Sequence, residues 1–254
     1  MLGFDVPTLA SGVLQFVALP AVIERLGRVF FDRTHTGLAP ADRAVLSQRL
    51  ARAVMALNLV QGAVRTMTQP VHRDLTIWSR SPLGQYYMLG TVLFYTFDSL
   101  LLAVQRAKTY DIWLHHLIAV GSFSYYLYRE VSEMGAMCVL LSELLVPWGF
   151  LLFYFKLAKL QAHPFFKTIA YGGVGTLCFR ICVWLWLTYR VVVHEAKHCP
   201  PFLYYYSLCS VPLIVGLDTH WIRLYLSNFG QHRKARLALN GAPAPSLFSA
   251  WVKK

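Results

Sequence analysis

The chain is short of charge. Asp, Glu, Lys and Arg make up 14% of its 254 residues, against about 25% in soluble globular domains, and acids are scarcest, 12 Asp and Glu against 24 Lys and Arg. With 56% of residues hydrophobic, 15% aromatic and a mean hydropathy of +0.46, the deficit argues for lipid as the solvent. Cysteine is sparse too. Cys138, Cys178, Cys182, Cys199 and Cys209 form no C-x-x-C pair and no even framework, which excludes a disulfide scaffold and a zinc finger. Cys178 and Cys182, four apart in an apolar run, read as small core residues. The set of histidine boxes that a di-iron hydroxylase or desaturase needs is missing. The N-terminus lacks the basic start and cleavage site of a signal peptide, so its first apolar run is expected to stay in the membrane.

What the chain does have is apolar runs of the length a bilayer core demands, roughly 20 residues of helix. They fall near 6–26, 51–69, 86–106, 112–128, 134–155, 168–193 and 203–226. Charge between them alternates. The first connection carries Arg25, Arg28, Arg33, Arg43, Arg49 and Arg52, the third Arg106 and Lys108, the fifth Lys156, Lys159 and Lys167, and the tail Arg233, Lys234, Arg236, Lys253 and Lys254. The intervening segments are poorer: Asp5; Arg73, Asp74 and Arg80; Arg129, Glu130 and Glu133; Arg190, Glu195 and Lys197. Because Lys and Arg favour the cytoplasmic side, the pattern predicts about seven spans, N-terminus lumenal and C-terminus cytosolic. It also explains the net charge of +12 as membrane topology rather than nucleic-acid binding. The expected fold is all-α, a polytopic membrane helix bundle, with a polar tail from residue 229 expected to be disordered.

One stretch, VVVHEAKHCPP at 191–201, spells the H-E-x-x-H of zinc proteases at His194, Glu195 and His198. Its placement argues against that chemistry: it closes the sixth span on the lumenal side, and Pro200 and Pro201 end the helix almost at once. Gly172, Gly173 and Gly175 follow no strand, so they are read as sites of close helix contact rather than a phosphate loop.

Ionisable residues within spans are costly and mark function. Asp98 lies in the third span, His115 and His116 at the start of the fourth, Glu143 in the fifth, Arg180 in the sixth, and Asp218 and His220, followed by Trp221, in the seventh. With alternating directions and about 1.5 Å per residue, all fall between the bilayer middle and its cytosolic side, which predicts a central polar cavity open to the cytosol. A structural network of Arg180 with Glu143 or Asp218 accounts for those three equally well. Asp111, one turn before His115, either orients that imidazole or caps the helix. Pro147 should kink the fifth helix at Glu143, whose carbonyl loses its donor, and Pro212 should do the same in the seventh.

The succession FDSLLLA, DIWLHHLIAV, SELLVPWGFLLFYFKL and FFKTIAYGGVGTLCFRICVW closely resembles the TLC-domain family, which includes the ceramide synthases and the translocating-chain-associating membrane protein. The resemblance covers residues 45–228. It implies a six-helix TLC barrel preceded by an N-terminal span and cytosolic connection at 1–44, a place in the endoplasmic reticulum membrane or else the plasma membrane, and a role in lipid metabolism or homeostasis. In ceramide synthases the histidine pair transfers acyl groups from acyl-CoA. Carried over, His115, His116, Asp98 and Glu143 would be catalytic, His115 as nucleophile, and Asp111, Arg180, Asp218, His220 and Trp221 would line the substrate site. The donor would be acyl-CoA or a phospholipid, the partners membrane lipids and a second copy of the chain, with no metal or other cofactor. The pattern also departs from the synthases: the fifth span reads Ser142, Glu143 and Val146 where they carry more acid, in the E-x-x-x-P form of their non-synthase relatives. A non-enzymatic lipid sensor, regulator or cargo receptor using the same cavity is the alternative.

Overall fold

The computed structural model describes residues 5–73, 78–104, 110–194 and 197–239. Among them, seven long helices follow one another: α1 (Val6–Thr34), α2 (Pro40–Met67), α3 (Pro82–Val104), α4 (Tyr110–Arg129), α5 (Glu133–Leu157), α6 (Pro164–His194) and α7 (Pro201–Ala238). Each answers to one of the apolar runs. All but α1, α4 and α5 begin with proline, which fits the first helical turn because its missing N–H would have no partner there. Asp5 caps α1, its Oδ1 accepting from the Thr8 N–H at 2.9 Å.

Five of the helices, α1, α3, α5, α6 and α7, are long and apolar enough to cross a membrane. The two that are not carry polar load: Arg43, Arg49, Arg52 and Arg65 in α2, and Asp111, His115, His116 and Arg129 in α4. The protein is thus a polytopic helical membrane protein, as its composition requires.

Local departures from α geometry are instructive. In α5, Ser142–Leu144 forms a 3₁₀ turn, as the missing amide of Pro147 predicts for the carbonyl of Glu143. In α7, by contrast, the α-helix runs unbroken through Pro212, so that proline is accommodated without a change of helix type. α7 also continues to Ala238, ten residues into the stretch expected to be disordered; the remainder of that tail lies outside the described residues.

The chain forms two compact units. The first comprises Met1–Leu19, Asn58–Ser142 and Arg180–Leu217. Lipid tails are as apolar as Leu, so helices in a membrane adhere by fit rather than by escape from water, and here the fit is ring against glycine. Phe16, fully buried, sits where a Cβ on Gly90 would stand, and Tyr87 occupies the space beside Gly62. A polar thread runs along the same contact: Tyr86 OH donates to Gln15 Oε1 at 2.6 Å, and Gln15 Nε2 donates to Asn58 Oδ1 at 3.2 Å. Elsewhere in this unit Trp184, Val211 and Ile214 form an apolar cluster with Ile118, Val139 and Leu187.

The second unit comprises Pro20–Leu57, Glu143–Phe179 and Asp218–Lys254. Its core is Leu152, Phe155, Leu160, Phe166 and Ile169, with Trp148 and Tyr225 against it. Two of the three glycines expected to permit close contact do so: a Cβ on Gly172 would lie 2.6 Å from the Trp148 ring and one on Gly173 inside the Tyr225 ring, whereas Gly175 faces open space. Arg43 staples the turn between α1 and α2. Its Nε donates to Asp32 Oδ1 at 2.7 Å and its Nη1 to the Leu38 carbonyl at 2.7 Å.

Candidate functional site

In the first unit α3 and α4 bring Asp98, His115 and His116 together, joined by two residues with no motif of their own, Tyr95 and Ser99. Tyr95 lies between the histidines, its ring centroid 5.5 Å from that of His115 and 4.8 Å from that of His116. Its hydroxyl is 3.4 Å from His115 Nε2. The spacing is helical: Tyr95, Asp98 and Ser99 lie at i, i+3 and i+4 and so share a face. The two imidazoles are 5.8 Å apart between centroids.

The histidines differ in burial. His116 is buried, 5% exposed, and both of its nitrogens meet neighbours: Nδ1 is 3.2 Å from Ser99 Oγ and Nε2 is 3.5 Å from Asp98 Oδ2. Ser99 decides the tautomer. Its hydroxyl proton is given to the Tyr95 carbonyl at 2.7 Å, so its oxygen can only accept from His116, and Nδ1 carries the hydrogen. Nε2 then faces the Asp98 carboxyl group. His115, half-buried, is the reachable member of the pair. Arg180 of α6, 4% exposed, acts on it electrostatically.

The model of the TLC domain matches residues 50–227 of the chain. The chain belongs to the TLC-domain family. No curated protein and no solved structure matches it.

In this TLC-domain protein the remaining residues singled out in the sequence fall in both units. Asp111 stands half-buried in the first turn of α4, and Asp98 brings a carboxylate beside His116. Glu143, 5% exposed, lies in the 3₁₀ turn of α5, and Asp218, fully buried, in α7; both belong to the second unit, as do Trp221, half-buried, and His220, exposed. Of the H-E-x-x-H stretch, His194 ends α6 in a π-helical turn and His198 is exposed in the turn that follows; Glu195 lies outside the described residues.

Sequence reasoning missed a second polar cluster in the first unit. Glu133, counted above as a loop charge, is 1% exposed. Its carboxylate accepts from the Ser81 N–H at 2.9 and 3.0 Å and from Ser81 Oγ at 2.8 Å. His72, equally buried, places Nε2 2.9 Å from the same carboxylate, off the direction of the ring N–H, and Nδ1 3.0 Å from Ser79 Oγ. Glycine is required at position 84, because a Cβ there would overlap the Glu133 carboxylate. Positive φ at Glu130 (54°) and Ser132 (59°) reverses the chain tightly enough to bring Glu133 into place. The only advance signal was an acid in the first turn of a helix, which ordinarily means solvent and the helix dipole.

Proposed function

We propose that this TLC-domain protein works on membrane lipids by acyl transfer through the histidine pair of α4. The observation that carries the reading is the asymmetry of the pair: His116 is buried with a neighbour at each nitrogen, while His115 is only partly buried. The unprotonated nitrogen of His115 attacks the acyl carbonyl of a thioester donor such as acyl-CoA. The C–S bond breaks to leave an acyl-imidazolium, and the thiolate leaves with a proton from the His116–Asp98 pair. The acyl-imidazolium is itself reactive; a lipid hydroxyl or amine attacks it, the acceptor's proton goes to the His116–Asp98 pair, and neutral His115 is regenerated. The Arg180 charge supports the carbonyl oxygen as it turns negative. The positive-inside pattern supports a C-terminus in the cytosol and an N-terminus on the opposite side, and the resemblance to the ceramide synthases supports the endoplasmic reticulum as the membrane.

The test is the intact mass of purified protein incubated with a long-chain acyl-CoA. An acyl adduct on the wild type, chased by a lipid acceptor and missing from His115→Ala, is the expected result. Wild-type protein that never acylates, yet retains lipid through purification, would overturn acyl transfer in favour of a non-catalytic lipid sensor.

A further inference from the structure

The net charge of +12 is concentrated in the second unit. Of 24 Lys and Arg, 15 fall within its sequence ranges, against 5 of 12 Asp and Glu. Most of the basic residues follow from topology, but three meet where topology alone does not require it. Arg49 and Arg52 are three apart on α2, and Phe153 and Lys156 three apart on α5, so each pair shares a helix face. The Arg49 guanidinium lies over the Phe153 ring, 4.3 Å from its centroid. Arg49 is repelled by Arg52, and Lys156 by Arg49. Both Arg49 and Lys156 are half-buried, so water screens that repulsion poorly.

Arg43, a few residues earlier, shows how a purely structural arginine is treated: it finds a carboxylate and a backbone carbonyl. Among the described residues, no carboxylate pairs with the side chain of Arg49 or Lys156; besides burial, Arg49 feels the charge of Arg52 and the neighbouring Tyr225, and Lys156 that of Arg49. Arg52 has interactions of its own and contributes field rather than a ligand atom. Tyr225 is held beside Arg49 by the glycines around it: Gly173 leaves room for its ring, and its hydroxyl lies 3.3 Å from where a Cβ on Gly149 would stand.

We infer that Arg49 and Lys156 form a binding site for a phosphate group. Two half-desolvated cations held together against their repulsion call for an anion with oxygens for both. A phosphate ester supplies them: two oxygens match the guanidinium fork while a third faces the ammonium. The Phe153 ring lies under the guanidinium, and partial burial of both cations strengthens their contact with an anion. Basic pockets between membrane helices on the cytoplasmic side take phosphate head groups in this way. The phosphate comes either from an anionic lipid head group or from the nucleotide of coenzyme A. The inference holds whether or not the α4 histidines react.

Native mass spectrometry of the purified full-length protein tests it, with two probes in separate arms: phosphatidylinositol 4-phosphate added to the micelle, and coenzyme A added in solution. At least one should be retained by the wild type and lose about tenfold in occupancy in Arg49→Gln/Lys156→Gln, which removes two charges at the site. Arg25→Gln/Arg28→Gln, which removes two exposed charges from α1, should bind as the wild type does. Lys156→Gln alone serves if the double variant does not fold, with the same direction of loss. Retention of the lipid alone identifies a head group, and retention of coenzyme A alone identifies the nucleotide. Equal retention by the site and control variants, or no retention of either probe by the wild type, would overturn the inference.

Discussion

Replacing Glu133 by Ala should be among the most damaging single changes in the first unit. The carboxylate is 1% exposed and gathers the Ser81 N–H, the Ser81 hydroxyl and His72. Ser81 Oγ also accepts from the Gly84 N–H at 3.0 Å, which caps α3 and survives the change. The Ser81 N–H does not recover: a buried donor left without an acceptor costs about 1–3 kcal/mol. The His72 contact is lost at the same time, which leaves a second buried polar group short of a neighbour at a cost of the same order. The two penalties share one carboxylate and are not additive, so the expected loss is about 2–4 kcal/mol. Glu133→Gln keeps the shape and one accepting oxygen but turns an NH₂ toward donors, and should lose about 1–3 kcal/mol. A double-mutant cycle with His72→Ala should show coupling of about 0.5–3 kcal/mol, the range for residues in contact. The assay is reversible unfolding by SDS in mixed micelles, followed by the fluorescence of the 7 tryptophans. A Glu133→Ala variant within about 0.5 kcal/mol of wild type, the range of an inert surface change, would refute the reasoning.

Three other outcomes follow from the geometry. Gly173→Ala places a methyl inside the Tyr225 ring and should cost about 1–3 kcal/mol as overpacking, read in the same assay, whereas Gly175→Ala, with open space around it, should be neutral or slightly stabilising. Tyr95→Phe removes the hydroxyl 3.4 Å from His115 while keeping the ring between the histidines; the acyl adduct should form more slowly with stability nearly unchanged, and an unchanged adduct rate would remove Tyr95 from the site. Ser99→Ala frees the Nδ1 proton of His116 and should slow adduct formation without abolishing it, as a burst experiment with labelled acyl-CoA will read.

Much of the architecture was legible because membranes impose one-dimensional rules. Span length, loop charge and the cost of an ion in lipid act along the chain, so seven runs became seven helices and the His115–His116 pair stood out by being expensive. Pro147 was readable for a similar reason: its missing amide acts on Glu143, four residues away. The illegible parts involve partners from different helices. Nothing at Ser99 announces that its hydroxyl fixes a histidine on the next helix, and nothing at Ser81 announces an acceptor 52 residues later. The tail was misread to Ala238 because α7, once fixed in the membrane, carries helix outward through GQHRKARLA, a stretch with too little apolar surface to predict one.

The Glu133 contact also sets an order of events during synthesis. Ser81 and His72 leave the ribosome before their acceptor exists, and at about 5–20 residues per second the 52-residue interval lasts roughly 3–10 s. Through that interval α3 and α4 are made and delivered to the bilayer with the Ser81 amide and the His72 imidazole served by water or by the insertion machinery. The arrival of the α5 N-terminus ends the wait: one carboxylate closes the network, and the loop between α2 and α3 is secured only when the protein is half made.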